Sequence, residues 1–299
     1  MRSGLLWCCL VLSLTSACRK APPLRVPIPE VTPRVRVAFQ PPVDRVLTES
    51  QRASRTVEKG GAAAREEVEL TTESRFTPSA GGWLLTQGVT HARQTRAGVE
   101  VTSWVDDVLK RFMLRVQLAA DGAFVKLVSP ESAGEAVRQS VPPGVDAGPL
   151  ERFFQPEVLE ARTRREWEAK FGGLFQRYVS EGQRSWGVDV LPVGDTQVAY
   201  VLERTVQGTR DTEYGDAVVL SLRCLDAVPE DGPDALMDAW VAAGRPELTP
   251  GVSCQGEQVV AYGRFVPVSR ELTVKAQVDG AMWTLTMESR AQGLQEEAR

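Results

Sequence analysis

Apolar and polar residues alternate along most of the chain from about residue 43 onward. Val68, Leu70, Thr72 and Phe76 take one side, with Glu67, Glu69, Glu73 and Arg75 on the other; this period of two marks a half-buried strand. A turn-rich stretch from Pro78 to Gly82 leads into a second run with Trp83, Leu85, Val89 and His91 on one side, which predicts a long hairpin. Phe112, Leu114, Val116 and Leu118 alternate with Arg115 and Gln117, and Asp121-Gly122 then turns the chain into Phe124 to Val128. The C-terminal third repeats the style. Its apolar faces are Val198, Tyr200, Leu202 and Val206, then Val218, Leu220, Leu222 and Cys224, then Leu272, Val274, Ala276 and Val278. After Asp279-Gly280 come Trp283, Leu285 and Met287.

Helical segments separate these runs. Pro130 to Gln139 begins with proline at a first helical turn, and Pro156 to Phe171 ends at the stop signal Gly172-Gly173. A third helix is predicted from Pro233 to Ala243, with Asp231 and Asp234 near its positive end. The run Glu157 to Lys170 reads as a solvated helix face with a packed stripe drawn from Val158, Leu159, Trp167 and Phe171. Together these elements predict an α+β fold, mainly antiparallel β-sheet built of long hairpins with a few covering helices. An internal echo, Leu114-x-Val116 with Asp121-Gly122-Ala123 and Leu127 against Leu272-x-Val274 with Asp279-Gly280-Ala281 and Leu285, leaves open two similar halves, about 43–128 and 183–288.

The first residues carry an address. Met1-Arg2-Ser3 is a short positive start, Leu5 to Leu14 an apolar run of about ten residues, too short for the ~20 that span hydrocarbon, and Thr15-Ser16-Ala17 a small-residue exit. Leu14-Thr15-Ser16-Ala17-Cys18 resembles the lipobox of bacterial lipoproteins, although Thr15 stands where that family usually has Leu. The resemblance implies removal of residues 1–17, acylation of Cys18 (palmitate and related chains) and attachment to the cell envelope. Arg19 after the cysteine is permissive for the outer membrane in that family. Ordinary secretion into the periplasm or beyond remains the alternative, since Thr15-Ser16-Ala17 also satisfies a general signal peptidase. Prolines 22, 23, 27, 29, 33, 41 and 42 then mark residues 18–42 as the lipidated cysteine and an extended tether, leaving 43–299 as one β-rich periplasmic domain. With Cys8 and Cys9 in the removed segment and Cys18 acylated, Cys224 and Cys254 remain. An oxidising compartment favours a disulfide between them, against two unrelated buried thiols.

Composition narrows the chemistry. The chain has 299 residues, 42% hydrophobic and 25% charged, with a net charge of −4, which is globular composition. A slightly acidic total without a basic stripe argues against a nucleic-acid partner. His91 is the single histidine, so multi-His metal sites are excluded and any histidine-dependent nucleophile depends on it. No nucleophile elbow, Ser-x-x-Lys, His-Glu-x-x-His or phosphate-binding glycine loop occurs. Asp106-Asp107 reads as a helix or turn start, and Asp226, Glu230, Asp231 and Asp234 do not meet calcium-loop spacing. No metal and no cofactor are predicted.

The sequence therefore predicts a membrane-anchored, non-catalytic lipoprotein whose periplasmic body binds a partner or supports an envelope assembly. Its pattern also resembles, without any shared motif, exported lipid-handling folds in which an open half-barrel is lidded by helices. That resemblance implies a carrier of an acyl chain or other apolar ligand, walled by Trp83, Leu85, Phe112, Leu114, Trp283 and Leu285. The same six residues would otherwise fill a solid core. An enzyme of unfamiliar type is the third reading.

Overall fold

The computed structural model describes residues 34–175, 177–193, 196–228 and 233–296. The export signal, Cys18 and the tether up to residue 33 lie outside them, as do Glu230 and Asp231. The N-terminal part comprises β1 (Val35–Val37), β2 (Arg45–Lys59), β3 (Ala62–Ser79), β4 (Gly82–Arg96), β5 (Val99–Val101), α1 (Trp104–Arg111), β6 (Met113–Ala119) and β7 (Phe124–Leu127). Three helices follow: α2 (Glu131–Ser140), α3 (Gly148–Phe153) and α4 (Pro156–Phe171). The remainder is β8 (Arg177–Val179), β9 (Arg184–Val193), β10 (Thr196–Thr212), β11 (Gly215–Leu225), α5 (Asp234–Ala242), β12 (Ser253–Ala261), β13 (Val266–Val278) and β14 (Ala281–Glu296). Strand accounts for 56% and helix for 19%, so the body is β-rich first, and α+β in that helices cover it.

One 12-stranded sheet runs in the order β7-β6-β4-β3-β2-β14-β13-β12-β11-β10-β9, with β5 attached to β4. Neighbours along it are antiparallel. The expected hairpins are present, and the β3–β4 ladder extends further than its turn residues suggest, since Pro78 pairs with Trp83 and Ser79 with Gly82. The echoed hairpins do not occupy equivalent places: β6–β7 forms one edge, whereas β13–β14 lies beside the central β14–β2 pair.

Curvature follows from interruptions in the ladders. Register shifts occur at Thr71/Thr72, Ala291/Gly293, Val259/Val260 and Val206/Gly208; such bulges bend a strand and increase its twist. Strands far apart in the sheet consequently share one core. Val116 and Leu118 of β6 cluster with Val206, Val218, Leu220 and Val260 of β10, β11 and β12. At the C-terminal edge, Leu191 and Val193 of β9 meet Val274 and Ala276 of β13 and Trp283 of β14.

Residues 35–42, expected at the end of the tether, belong to this body. Val37 and Phe39 are 0% and 3% exposed, β1 pairs with β8, and Phe265 N–H donates to the Gln40 carbonyl. Phe39 packs against Phe76, Trp167, Phe175 and Phe265. Prolines on both sides mask this short apolar alternation, whose burial outweighs the local preference for an extended spacer.

Helix α4 closes the concave face. Its bounds match the sequence expectation, and Leu159, Ala169 and Phe171 are buried beneath it while Val158 is 43% exposed. Trp167 donates its indole N–H to the Gly122 carbonyl at 2.9 Å. Gly187 permits the close approach of α4 to β9: a Cβ there would lie 2.8 Å from Ala169 Cα. The last carbonyls of a helix lack intrahelical partners, and here the sheet supplies them. Arg204, 1% exposed, donates to the carbonyls of Glu168, Ala169, Gly172 and Trp186, and Gln258 Nε2 donates to Lys170 O. The guanidinium also sits favourably at the negative end of the helix dipole. On the other side of β9, α5 contributes Leu236 to a cluster with Val188 and Val201.

Cys224 and Cys254 form a disulfide. They stand one position beyond the pair Arg223↔Gln255 in the β11–β12 ladder, so antiparallel register brings the two side chains to one face. The loop they close contains α5.

Candidate functional site beneath helix α4

Between α4 and the concave sheet lies a cavity of about 170 Å³. Thr163, Glu166, Trp167, Lys170 and Phe171 line its helix side; their spacing of three and four residues places them on one helical face. The sheet side has two characters. Phe76 of β3, Leu85 of β4, Leu114 and Val116 of β6, and Phe265 supply apolar surface. Glu49 and Gln51 of β2, Gln258 of β12, Arg270 of β13 and Ser289 of β14 supply polar surface.

The polar side holds charges in poor solvent. Glu49 is 8% exposed, and burial raises its pKa above the ordinary carboxylate value; Lys170, hydrogen bonds from Ser289 and Gln51, and Arg270 oppose that shift. Gln51 Nε2 donates to Glu49 Oε1 at 3.3 Å. Outside the cavity lining, at the C-terminal end of α4, burial lowers the Arg204 pKa to about 10, with Glu168 opposing the shift and neighbouring Arg270 adding to it. Glu168 in turn is raised by burial, against Arg204 and Arg164. Among the described residues, Arg270 Nε and Nη2 and Gln258 Oε1 are buried without a hydrogen-bond partner. Buried polar atoms are normally satisfied, so these three mark the polar side of the cavity as chemically incomplete.

The six residues expected to form one apolar wall are divided among three places. Leu85 and Leu114 line the cavity. Trp83 and Phe112 pack against the same core but outside the cavity lining. Trp283 and Leu285 border a separate crevice of about 30 Å³ with Val198, Val274 and Ala276. Periodicity assigns a side chain to a face without stating which stretch of a curved sheet is covered by a helix. Sequence reading missed Glu49, Gln258 and Arg270. For Gln258 and Arg270 the signal was a polar residue in line with apolar ones, Val260 on β12 and Leu272 and Val274 on β13, whereas Glu49 lies in a largely polar strand that carries no such signal.

His91 is exposed. A strict period of two puts it on the side of Trp83, Leu85 and Val89. The register shift leaves Thr72 opposite Val89 and Thr71 opposite His91, so the extra residue Thr90 inverts the alternation and turns His91 to the outer face. Asp106 belongs to the capping box of α1: Ser103 Oγ accepts from Val105 N–H, and Asp106 Oδ2 accepts from Ser103 N–H. Asp226 Oδ2 accepts from Gly251 N–H at 2.9 Å, a loop-to-loop contact. Among the described residues there is no group of three or more His, Cys, Asp or Glu placed to hold a metal, and no helix is long and apolar enough to cross a membrane.

No family model matches the chain, and no curated protein matches it. Among solved structures it is similar to a lipovitellin described for its lipid–protein interactions, at 12% identity and a TM-score of 0.46, covering 87% of this chain. The match spans only 26% of the lipovitellin chain. It is also similar to an exported protein with a YmcC-like fold from Bacteroides fragilis, at 10% identity and a TM-score of 0.22, covering 87% of this chain and all of that one. A DUF1329 family protein from Desulfovibrio piger is similar at 10% identity and a TM-score of 0.21, covering 82% and 85%. At such identities and scores the cavity, not the likeness, has to carry the functional reading.

Proposed function

We propose that this protein is a lipid-anchored, non-catalytic envelope protein whose β-rich body binds part of an aliphatic ligand beneath α4. One observation carries the binding role: the concave sheet and the α4 face meet around a cavity of about 170 Å³ instead of closing on each other. Its size is comparable to the ~150 Å³ apolar cavity that admits a benzene-sized molecule. The partly open space therefore suits a ring or a short alkyl segment, with the rest of a longer ligand outside. Phe76, Leu85, Leu114 and Val116 offer the apolar contact, and each buried methylene gains ~0.8 kcal/mol. Anchoring is supported by the Leu14 to Cys18 pattern, and a bulky passenger near a bilayer would benefit from a tethered carrier.

The test uses the exported full chain carrying Cys18→Ser and the neutral fluorophore N-phenyl-1-naphthylamine. Saturable enhancement of its emission is expected. Leu114→Trp, which places an indole at a half-buried cavity position, should weaken that binding about tenfold, equivalent to ~1.4 kcal/mol, while retaining the far-ultraviolet spectrum of the parent. Absence of saturable binding, or equal binding by a folded Leu114→Trp protein, would overturn the carrier reading and leave a structural envelope role.

A further inference from the structure

The apolar half of the cavity accounts for a chain but not for the charges beside it. Arg270 leaves Nε and Nη2 buried with no hydrogen-bond partner among the described residues. The edge of a guanidinium bearing Nε and one Nη presents two parallel N–H donors, the geometry that matches the two oxygens of a carboxylate. Lys170 lines the same cavity from α4. Glu49 shares the cavity and feels Lys170 and Arg270 electrostatically, but its hydrogen bonds come from Ser289 and Gln51, so it leaves the Arg270 donors unmatched. Leaving a charged donor buried and unpaired is costly, so an incoming anion would be stabilised by groups already in position.

We propose that Arg270 and Lys170 form an anion subsite that takes the carboxylate end of an aliphatic chain, so that the preferred ligand is a fatty acid. This rests on the carrier reading above and adds the identity of the head group. The apolar residues Phe76, Leu85 and Leu114 hold the first carbons, and the cations on β13 and α4 hold the oxygens. A neutral chain of equal length fills the apolar half and leaves the guanidinium unsatisfied. Acetate has the head group without the chain and forfeits the apolar contact.

Three competitors of the bound naphthylamine separate the possibilities: decanoate, decanol and acetate. Decanoate is expected to displace the fluorophore about tenfold more tightly than decanol, a factor within the range for a hydrogen bond to a charged group, and acetate should not displace it at comparable concentration. Arg270→Gln should reduce the preference for decanoate over decanol, read as the ratio of their displacement constants, from about tenfold to about one. Lys170→Gln, on the covering helix, should reduce the preference in the same sense and provides the answer if Arg270→Gln does not fold. Equal displacement by decanoate and decanol, or a preference that survives in both folded variants, would overturn the anion subsite while leaving the carrier intact. Displacement by neither compound would overturn the carrier reading itself.

Discussion

Glu49 shows how a single residue registers its surroundings. It faces the cavity from β2, with Gln51 beside it, Ser289 on β14, Arg270 on β13 and Lys170 on α4. Burial is the largest influence and lifts its pKa above the ordinary carboxylate value. The folded form therefore binds this proton more tightly than the unfolded chain. Its favourable contribution is fully present below the unfolded pKa and is lost as pH rises through the folded one. Glu49→Gln removes that loss, so the variant should gain stability relative to the parent as pH is raised from 4 to 8. Thermal unfolding midpoints of both proteins at these two pH values check the sign; a constant difference would show that Glu49 titrates normally. The largely polar sequence of β2 announces no inward face, and the neighbours that set this proton's affinity come from three other elements. The same limit explains His91, whose side of the strand depends on one bulged residue, Thr90, that no period-two pattern announces.

At the scale of elements, local chemistry was decisive for boundaries. Pro156 opens α4 and Gly172 ends it, as proline at a first turn and a glycine stop dictate. Ser103 and Asp106 start α1 by reciprocal hydrogen bonds. The docking of α4 was not readable, because Arg204 and Gln258 reach its terminal carbonyls from strands 32 or more residues away in sequence. The β11–β12 pair lies between these extremes: counting cysteines suggested Cys224–Cys254, and antiparallel register brings them together. A cross-link over 30 residues stabilises by about 3–4 kcal/mol in the chain-entropy model. Replacing both cysteines by serine should lower the unfolding free energy in denaturant titration by roughly that amount, with the sheet retained. An unchanged midpoint would show that the β11–β12 ladder needs no cross-link.

For the whole molecule, address and body are separable. If Cys18 carries lipid, the protein is held at the envelope by acyl chains, each methylene of which gains ~0.8 kcal/mol in a bilayer. Cys18→Ser should then move the protein from the membrane fraction to the soluble periplasmic fraction while the body still binds the naphthylamine probe. Persistence of the serine variant in membranes would refute acyl anchoring. The packed body begins earlier than its prolines suggested, since Val37 and Phe39 are pulled into a core cluster with Phe76, Trp167 and Phe265. Burial of such rings outweighs the weak extended preference of a proline-flanked segment.

The β3–β4, β6–β7 and β13–β14 hairpins, the limits of α4 and the cysteine pair were legible in the chain because they depend on neighbours one to four residues apart, or on a count. Curvature was not legible. It arises from bulges acting across many strands, and it determines that Leu85 and Leu114 border a cavity while Trp283 and Leu285 pack elsewhere. It also brings Glu49, Lys170 and Arg270 to one space. Periodicity is a statement about local geometry, whereas a cavity is the residue of long-range closure, and a candidate site made by closure becomes visible only when the sheet is seen folded around its helix.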